Sequence, residues 1–198
     1  MAAVKLTKNE LKKQKDSLKR FQRYLPTLML KKQQLQMVIR QVEAQEARKA
    51  AERDTIHDDI VAWVDLFGED LKLERLVVIK ELETETGNIA GIDIPVFKRI
   101  TFEDIPWDLY EYPLWVDRAV RRLKEQIAVD AEIRVLQEQK KLVAEELRIT
   151  TQRVNLFEKV KIPEARENIR RIRIYLGDQQ TAAVVRGKIA KSNIVKGS

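Results

Sequence analysis

The 198-residue chain contains no cysteine. That removes disulfides, thiolate metal sites and cysteine nucleophiles together, and it suits a protein made in a reducing compartment, so a cytoplasmic location is expected. Glycine and proline are scarce, at six and five residues, and aromatics make up only 6%. With 44% hydrophobic and 35% charged residues, this composition argues against a large β-sandwich or barrel and approaches the profile of long or coiled helices. No apolar run reaches the roughly 18 residues of a membrane span, so no direct membrane insertion is expected. The opening MAAVKLTKNELKK is basic but has no apolar core behind it, unlike a secretory signal.

Reactive constellations are equally sparse. The sequence has no G-x-x-x-x-G-K-[ST], no G-x-G-x-x-G and no H-E-x-x-H. His57 is the single histidine, and Asp54 and Asp58 beside it make an incomplete metal set, since catalytic zinc usually takes three protein ligands. A solvated surface histidine is the plainer reading. Neighbouring carboxylates such as Glu145 and Glu146 diverge on a helix and make poor acid and base partners. No catalytic residue, cofactor or metal is therefore expected, and the chain does not read as an enzyme by itself.

What the sequence does hold is charge and periodicity. Lys and Arg number 38 against 31 acids, a net +7. Residues 1 to 24 hold eight Lys/Arg against two acids and residues 161 to 198 hold nine against three, so each end carries +6 and the stretch between them about −5. Such ends suit contact with nucleic acid, anionic lipid or an acidic protein surface, with solvated helix faces as the alternative. The dense segment Lys12, Lys13, Lys15, Lys19, Arg20 and Arg23 would suit a basic helix in a DNA groove, but seam residues Leu11, Leu18 and Phe21 interrupt it. No nucleic-acid partner is expected.

Glycine is absent before Gly68 and again between Gly91 and Gly177, and the segment between these two stretches holds three glycines and three prolines. The chain thus divides into an N-terminal arm (1–66), a middle segment (67–115) and a C-terminal arm with a basic tail (116–198). Thr7 and Glu10 have capping-box spacing and predict a helix start near Thr7. With heptad a positions at 11, 18, 25 and onward to 60, and d positions at 14, 21, 28 and onward to 63, eleven of sixteen are apolar, from Leu11 to Trp63. The exceptions Glu46, Lys49 and Arg53 cluster, and there the seam is expected to open to water or to another protein. About sixty helical residues would reach roughly 90 Å, too long to bury the stripe by folding inward, so a partner of similar length is needed.

The C-terminal arm supplies one. Val120, Leu123 and Ile127, then after a slip Leu136, Val143, Leu147, Val154 and Phe157, recur at spacings of three and four. Past Pro163 the stripe resumes at Ala165, Ile169, Ile172 and Leu176, displaced by one residue. The expected fold is mainly α: a long antiparallel two-helix coiled coil of the two arms, with a short middle segment containing a β-hairpin. If contacting residue numbers sum to about 190, Pro26 and Pro163 fall at one height and a shared bend is expected. In the middle, residues 73–84 and 88–102 predict two strands joined through Thr86, Gly87 and Asn88, with Trp107, Tyr110, Tyr112 and Trp115 as local cover or as a docking face.

Three stretches resemble the D subunit, the central-stalk rotor shaft, of V-type and archaeal-type rotary ATPases. LTKNELKKQKDSLKRFQRYLPTLMLKKQQL is similar to that family's first helix. NIAGIDIPVF matches its N-x-x-G-[VI]-x-x-P strand through Asn88, Gly91, Ile92 and Pro95. RVNLFEKVKIP matches its R-[VT]-N-x-x-E-x-x-x-I-P signature through Arg153, Asn155, Glu158 and Pro163. Gln33 and Gln34 depart from the family's usual Arg-Asp. The resemblance implies a non-catalytic shaft that couples ATP synthesis or hydrolysis to proton or sodium-ion transport by carrying torque. Its implied partners are the catalytic and non-catalytic ring subunits, a small central-stalk companion and a socket subunit on the membrane rotor ring. Lys12, Lys13, Lys19, Arg20, Arg23, Arg166, Arg170, Arg171 and Arg173 would form its ring-facing basic tip. A freestanding structural or adaptor coiled coil is the alternative, followed by a basic-helix nucleic-acid-binding protein.

Overall fold

A computed structural model describes residues 4–62, 73–106 and 112–196. The main elements are helix α1 (Lys8–Val61), strands β1 (Ile79–Ile89) and β2 (Ile92–Phe102), helix α2 (Val116–Asn155), a π-helical segment (Leu156–Lys161) and helix α3 (Ile162–Lys196). Two compact units result, one from residues 1–32 and 149–198, the other from residues 33–148. Helices α1 and α2 each contribute residues to both.

Helix α1 starts where its cap requires. Thr7 Oγ1 accepts the Glu10 backbone N–H at 3.2 Å, and the Thr7 carbonyl accepts from Leu11. Only half of the expected box forms, because Thr7 N–H donates to Lys5 and the Glu10 carboxylate accepts from Gln14 Nε2 at 2.8 Å. Every described a and d position from Leu11 to Ile60 is buried or half-buried, as the heptad pattern requires. Trp63, the last of the series, lies outside the described residues.

In the 33–148 unit, α1 and α2 run antiparallel, because rising numbers on one meet falling numbers on the other. Fully buried Leu35 and Val143 share a cluster. Further along, Lys49 pairs with Glu132 at 3.0 Å, and Asp59 with Arg122 at 2.9 Å and Arg118 at 3.3 Å. Part of the polar stretch expected to be open is instead covered by α2, while Arg53 pairs with Asp54 of its own helix at 2.7 Å. Glu46 accepts from Lys140 and from Gln137 Nε2, and the Lys140 hydrogen bond, followed by that of Gln137, holds its carboxyl below the ordinary range. Lys49 is pushed up, first by its bond to Glu52 and then by Glu132. Polar residues at these a and d positions favour one partner register over others.

The strands form an antiparallel hairpin whose turn is Ala90–Gly91, beyond the expected Thr86, Gly87 and Asn88. Both turn residues have positive φ, 55° and 80°, which suits the right-handed twist of the strands. Asn88 secures the turn: its side-chain oxygen accepts Gly91 N–H at 3.2 Å, and its Nδ2 donates to Asp93 Oδ1 at 2.7 Å. Gly87 serves a close approach instead, since a Cβ there would lie 2.8 Å from Val96 Cγ2. A lone hairpin is marginal. Here Ile94, 1% exposed, packs with Leu35 and Val143, and the Pro95 carbonyl accepts Gln139 Nε2 at 2.6 Å. At the strand base, Tyr112 and Trp115 pack on Leu76, Val116 and Val120 as local core, while Trp107 and Tyr110 lie outside the described residues.

In the other unit, Phe21 and Phe157 stack at 5.1 Å between ring centroids, tilted by 45°. The one-residue displacement of the stripe has a direct cause in the π-helical segment, where Ile162 N–H bonds five residues back to Phe157 O. An unbroken heptad from Thr150, Val154 and Phe157 would continue at 161, 164 and 168. The π-turn adds one residue, so Ile162, Ala165 and Ile169 are buried instead. This irregularity belongs to one helix alone, because α1 continues as α-helix through the exposed Pro26.

Two substitutions test the hairpin and its seat. Leu35→Ala is expected to lower stability by about 2–5 kcal/mol in urea unfolding, through the cavity it leaves. Gly91→Ala meets nothing within 4 Å and should lose only about 1 kcal/mol, from its positive φ.

Candidate partner-binding surfaces

Charge and apolar area meet in a groove of the unit formed by residues 1–32 and 149–198. Lys15 and Lys19 from α1 and Arg166, Arg170 and Arg173 from α3 line about 470 Å³, with Leu18, Ile169 and Ile174 as apolar wall. Spacings of three and four residues carry the three arginines along one helix face. Among the described residues, no carboxylate lines the groove. A surface of this kind attracts acidic groups over a distance of about 10 Å in 0.1 M salt and gives them apolar contact on arrival.

The basic tip expected from the sequence is thereby sorted. Lys19, Arg166, Arg170 and Arg173 converge on the groove, whereas Lys12, Lys13 and Arg20 share a separate shallow surface with Asn9 and Asp16. Arg23 is exposed and lines neither. Arg171 faces Glu167, which also receives Arg170: Arg170 Nε and Nη2 donate at 2.8 Å and Arg171 Nε at 2.9 Å. These bonds, Arg170 first and Arg171 next, hold the Glu167 carboxyl down to about 2. Lys15, Gln22 and Ile174 were not among the expected tip residues. The i,i+4 spacing of Lys15 and Lys19 signals a common face, but which α3 residues lie opposite depends on interhelical register.

The motif positions have varied roles. Asn88 and Gly91 make the hairpin turn, and the Pro95 carbonyl accepts the bond that docks β2 on α2. Arg153, Asn155 and Glu158 are exposed at and before the π-turn, and Pro163 is exposed just after it.

A second surface, which sequence reasoning missed, lies in the 33–148 unit between the hairpin and α2. Ile79, Leu82, Pro95 and Ile100 face Ile127, Ala131 and Val135 around about 500 Å³, with Asp130, Arg134 and Glu138 also lining it. Leu82 and Ile100 are cross-strand partners, so their alternation was a readable signal. Leu82 is 44% exposed and Ile79 49%, which is unusual for apolar strand residues beside a covering helix.

Among the described residues, no group of three or more His, Cys, Asp or Glu is placed to hold a metal ion, and no helix is long and apolar enough to cross a membrane. His57 is exposed, and the Asp54 carboxylate beside it is engaged by Arg53 at 2.7 Å.

The Glu167 fork sets a pH test. Its folded value lies below the ordinary 4.5, so any stability the pairs contribute is present above about pH 4.5 and fades as pH falls through about 2. Carboxyl titration by NMR should place Glu167 near 2, and Arg170→Gln should move it upward toward 4.5. An unmoved midpoint in that variant would show that the fork is not what depresses it.

Comparison with known proteins bears on the family of the chain. The family model for the D subunit of ATP synthase matches residues 10–192. The V-type ATP synthase D subunit of Borreliella burgdorferi is 53% identical over 196 residues, covering 99% of this chain and 97% of that protein. Its counterpart in Chlamydia muridarum is 34% identical over 194 residues, covering 96% of each. A family match spanning nearly the whole chain, hairpin and π-turn included, places this protein in the ATP synthase D subunit family.

Proposed function

We propose that the chain is the central rotor-shaft subunit of a V/A-type rotary ATPase. It carries torque between the ring in which ATP is made or hydrolysed and the membrane rotor that moves protons or sodium ions. The observation that carries this reading is the family match along nearly the whole chain, joined to a heptad seam turned inward in each compact unit. A shaft must resist twisting without a bulky core, and interlocked helices with continuous backbone hydrogen bonds supply that stiffness. A freestanding adaptor would offer its seam to another chain, but here α2 and α3 already occupy it. Family membership does not favour that alternative or a nucleic-acid role.

In this reading the ATP chemistry belongs to the ring, and the chain contributes no catalytic residue. The basic surfaces, Lys12, Lys13, Lys19, Arg20, Arg23, Arg166, Arg170, Arg171 and Arg173, face the catalytic and non-catalytic ring subunits. Spread over several faces, such contacts are soft and screened, so no single angle traps the rotor. The apolar hairpin groove takes the small companion subunit. A socket subunit joins the shaft to the membrane rotor, and the chain sits peripheral to the membrane on its cytoplasmic side.

Two experiments separate these assignments. The triple substitution of Lys19, Arg166 and Arg173 to Gln should weaken binding to the reconstituted ring at least roughly tenfold in 0.1 M salt, with unchanged helix content. Leu82→Glu should lower companion-subunit affinity by a similar factor, about 1.4 kcal/mol, and leave ring binding intact. If the full-length chain captures no ATPase subunits from its own cells, the shaft assignment fails.

A further inference from the structure

The π-turn is unusual in where it lies and in what holds it. Thr150 and Val154 face inward before it, Phe157 within its first turn, and Ile162, Ala165, Ile169 and Ile172 after it. Between Phe157 and Ile162 no side chain is buried. The helix is therefore anchored to the seam on both sides of four residues that contribute no buried side chain to it, Lys161 among them being half-buried and paired with Glu164 at 3.1 Å.

Both flanks also confine the extra residue. Were the π-turn to slide toward the C-terminus, Ile162, Ala165, Ile169 and Ile172 would rotate outward. Lys161, Glu164, Asn168 and Arg171 would replace them in the seam. Sliding toward the N-terminus would exchange Val154 and Phe157 for Asn155 and Glu158. Each move exposes apolar groups and buries polar ones, so neither is favoured.

Pro163 adds a covalent stop. In a continuous α-helix its ring would press on the Lys159 carbonyl, and it has no N–H to offer that oxygen. The Ile162 N–H just before it already reaches five residues back to Phe157 O. Within the segment, amides can exchange i−5 for i−4 acceptors, and at Pro163 that exchange ends.

We propose that Leu156–Lys161 is a torsional soft point of the helix, a confined π-turn whose hydrogen bonds shift between two patterns, with Pro163 as its C-terminal stop. A twist applied to the helix is taken up there, and the apolar seam on either side keeps its partners. The mechanical consequence, elastic yielding in a turning shaft, rests on the rotor-shaft reading. The soft point itself does not.

Hydrogen exchange on the isolated full-length chain tests it. Amides of residues 158–162 should exchange at least roughly tenfold faster than those of 150–155 and 165–172, since local opening sets the rate. Pro163→Ala should carry the fast window only to residues 163 and 164, short of the buried Ala165. Deleting Lys159 in the Pro163→Ala background makes the heptads continuous and should bring the window to its neighbours' rate, with helix content by circular dichroism retained. Uniform protection in the native chain overturns the proposal. So does a fast window that persists in the double variant, a window unmoved by Pro163→Ala, or loss of helix in the double variant. Because no ATPase partner is involved, these outcomes are independent of whether the chain binds the ring.

Discussion

A helix of 54 residues with an apolar stripe along one side cannot bury that stripe against itself. Everything else in the protein follows from the need for an antiparallel partner. Within each compact unit the a and d positions of α1 are covered by a later helix, and two charged residues of that seam are answered across it. Glu46 and Lys49 are answered by Lys140, Gln137 and Glu132. A pairing shifted by a turn would leave those charges against apolar neighbours. These partners act more through register than through stability, because part-exposed ion pairs contribute little net energy.

The same constraint explains the irregular parts. A two-stranded hairpin has one face too many for its own stability, and Ile94 and Pro95 solve this by seating β2 on the helices. The opposite end of the hairpin keeps Ile79 and Leu82 exposed, so the element that stabilises itself at its tip leaves an apolar groove nearer its base. The π-turn is a second accommodation. Two well-formed stretches of heptad out of phase by one residue can face a single partner only if one residue is absorbed between them, and a widened turn absorbs it at low cost in hydrogen bonds.

Much of this was legible in the two arms. The cap at Thr7, the seam from Leu11 to Ile60 and the start of α2 at Val116 follow from local chemistry and from a period that repeats many times. The displaced stripe beyond Pro163 was also legible, although its cause was not. Proline drew attention to itself as a breaker, whereas the accommodating residues Leu156 to Lys161 have ordinary helical side chains and no compositional mark. The hairpin turn was misplaced for a similar reason. Gly87 resembles a turn glycine, but it is small because Val96 lies beside it, and the turn falls at Ala90, a residue rarely found at positive φ. The fate of Glu46 and Lys49 depended on residues some ninety positions away.

The sequence by itself determined the helical character of the arms, the hairpin between them, the excess of positive charge at both ends and, through its motifs, the family. These are properties of periodicity and composition, which act over a few neighbouring residues and survive any choice of tertiary register. Only the tertiary structure decided which lysines and arginines share a groove, that part of a polar seam is closed by pairing, that Leu82 and Ile100 border an open apolar surface and that a π-turn reconciles two phases. Each of these depends on the alignment of segments distant in the chain. A shift of one residue in a helix turns its side chains by about 100°, so local pattern cannot choose among such alignments.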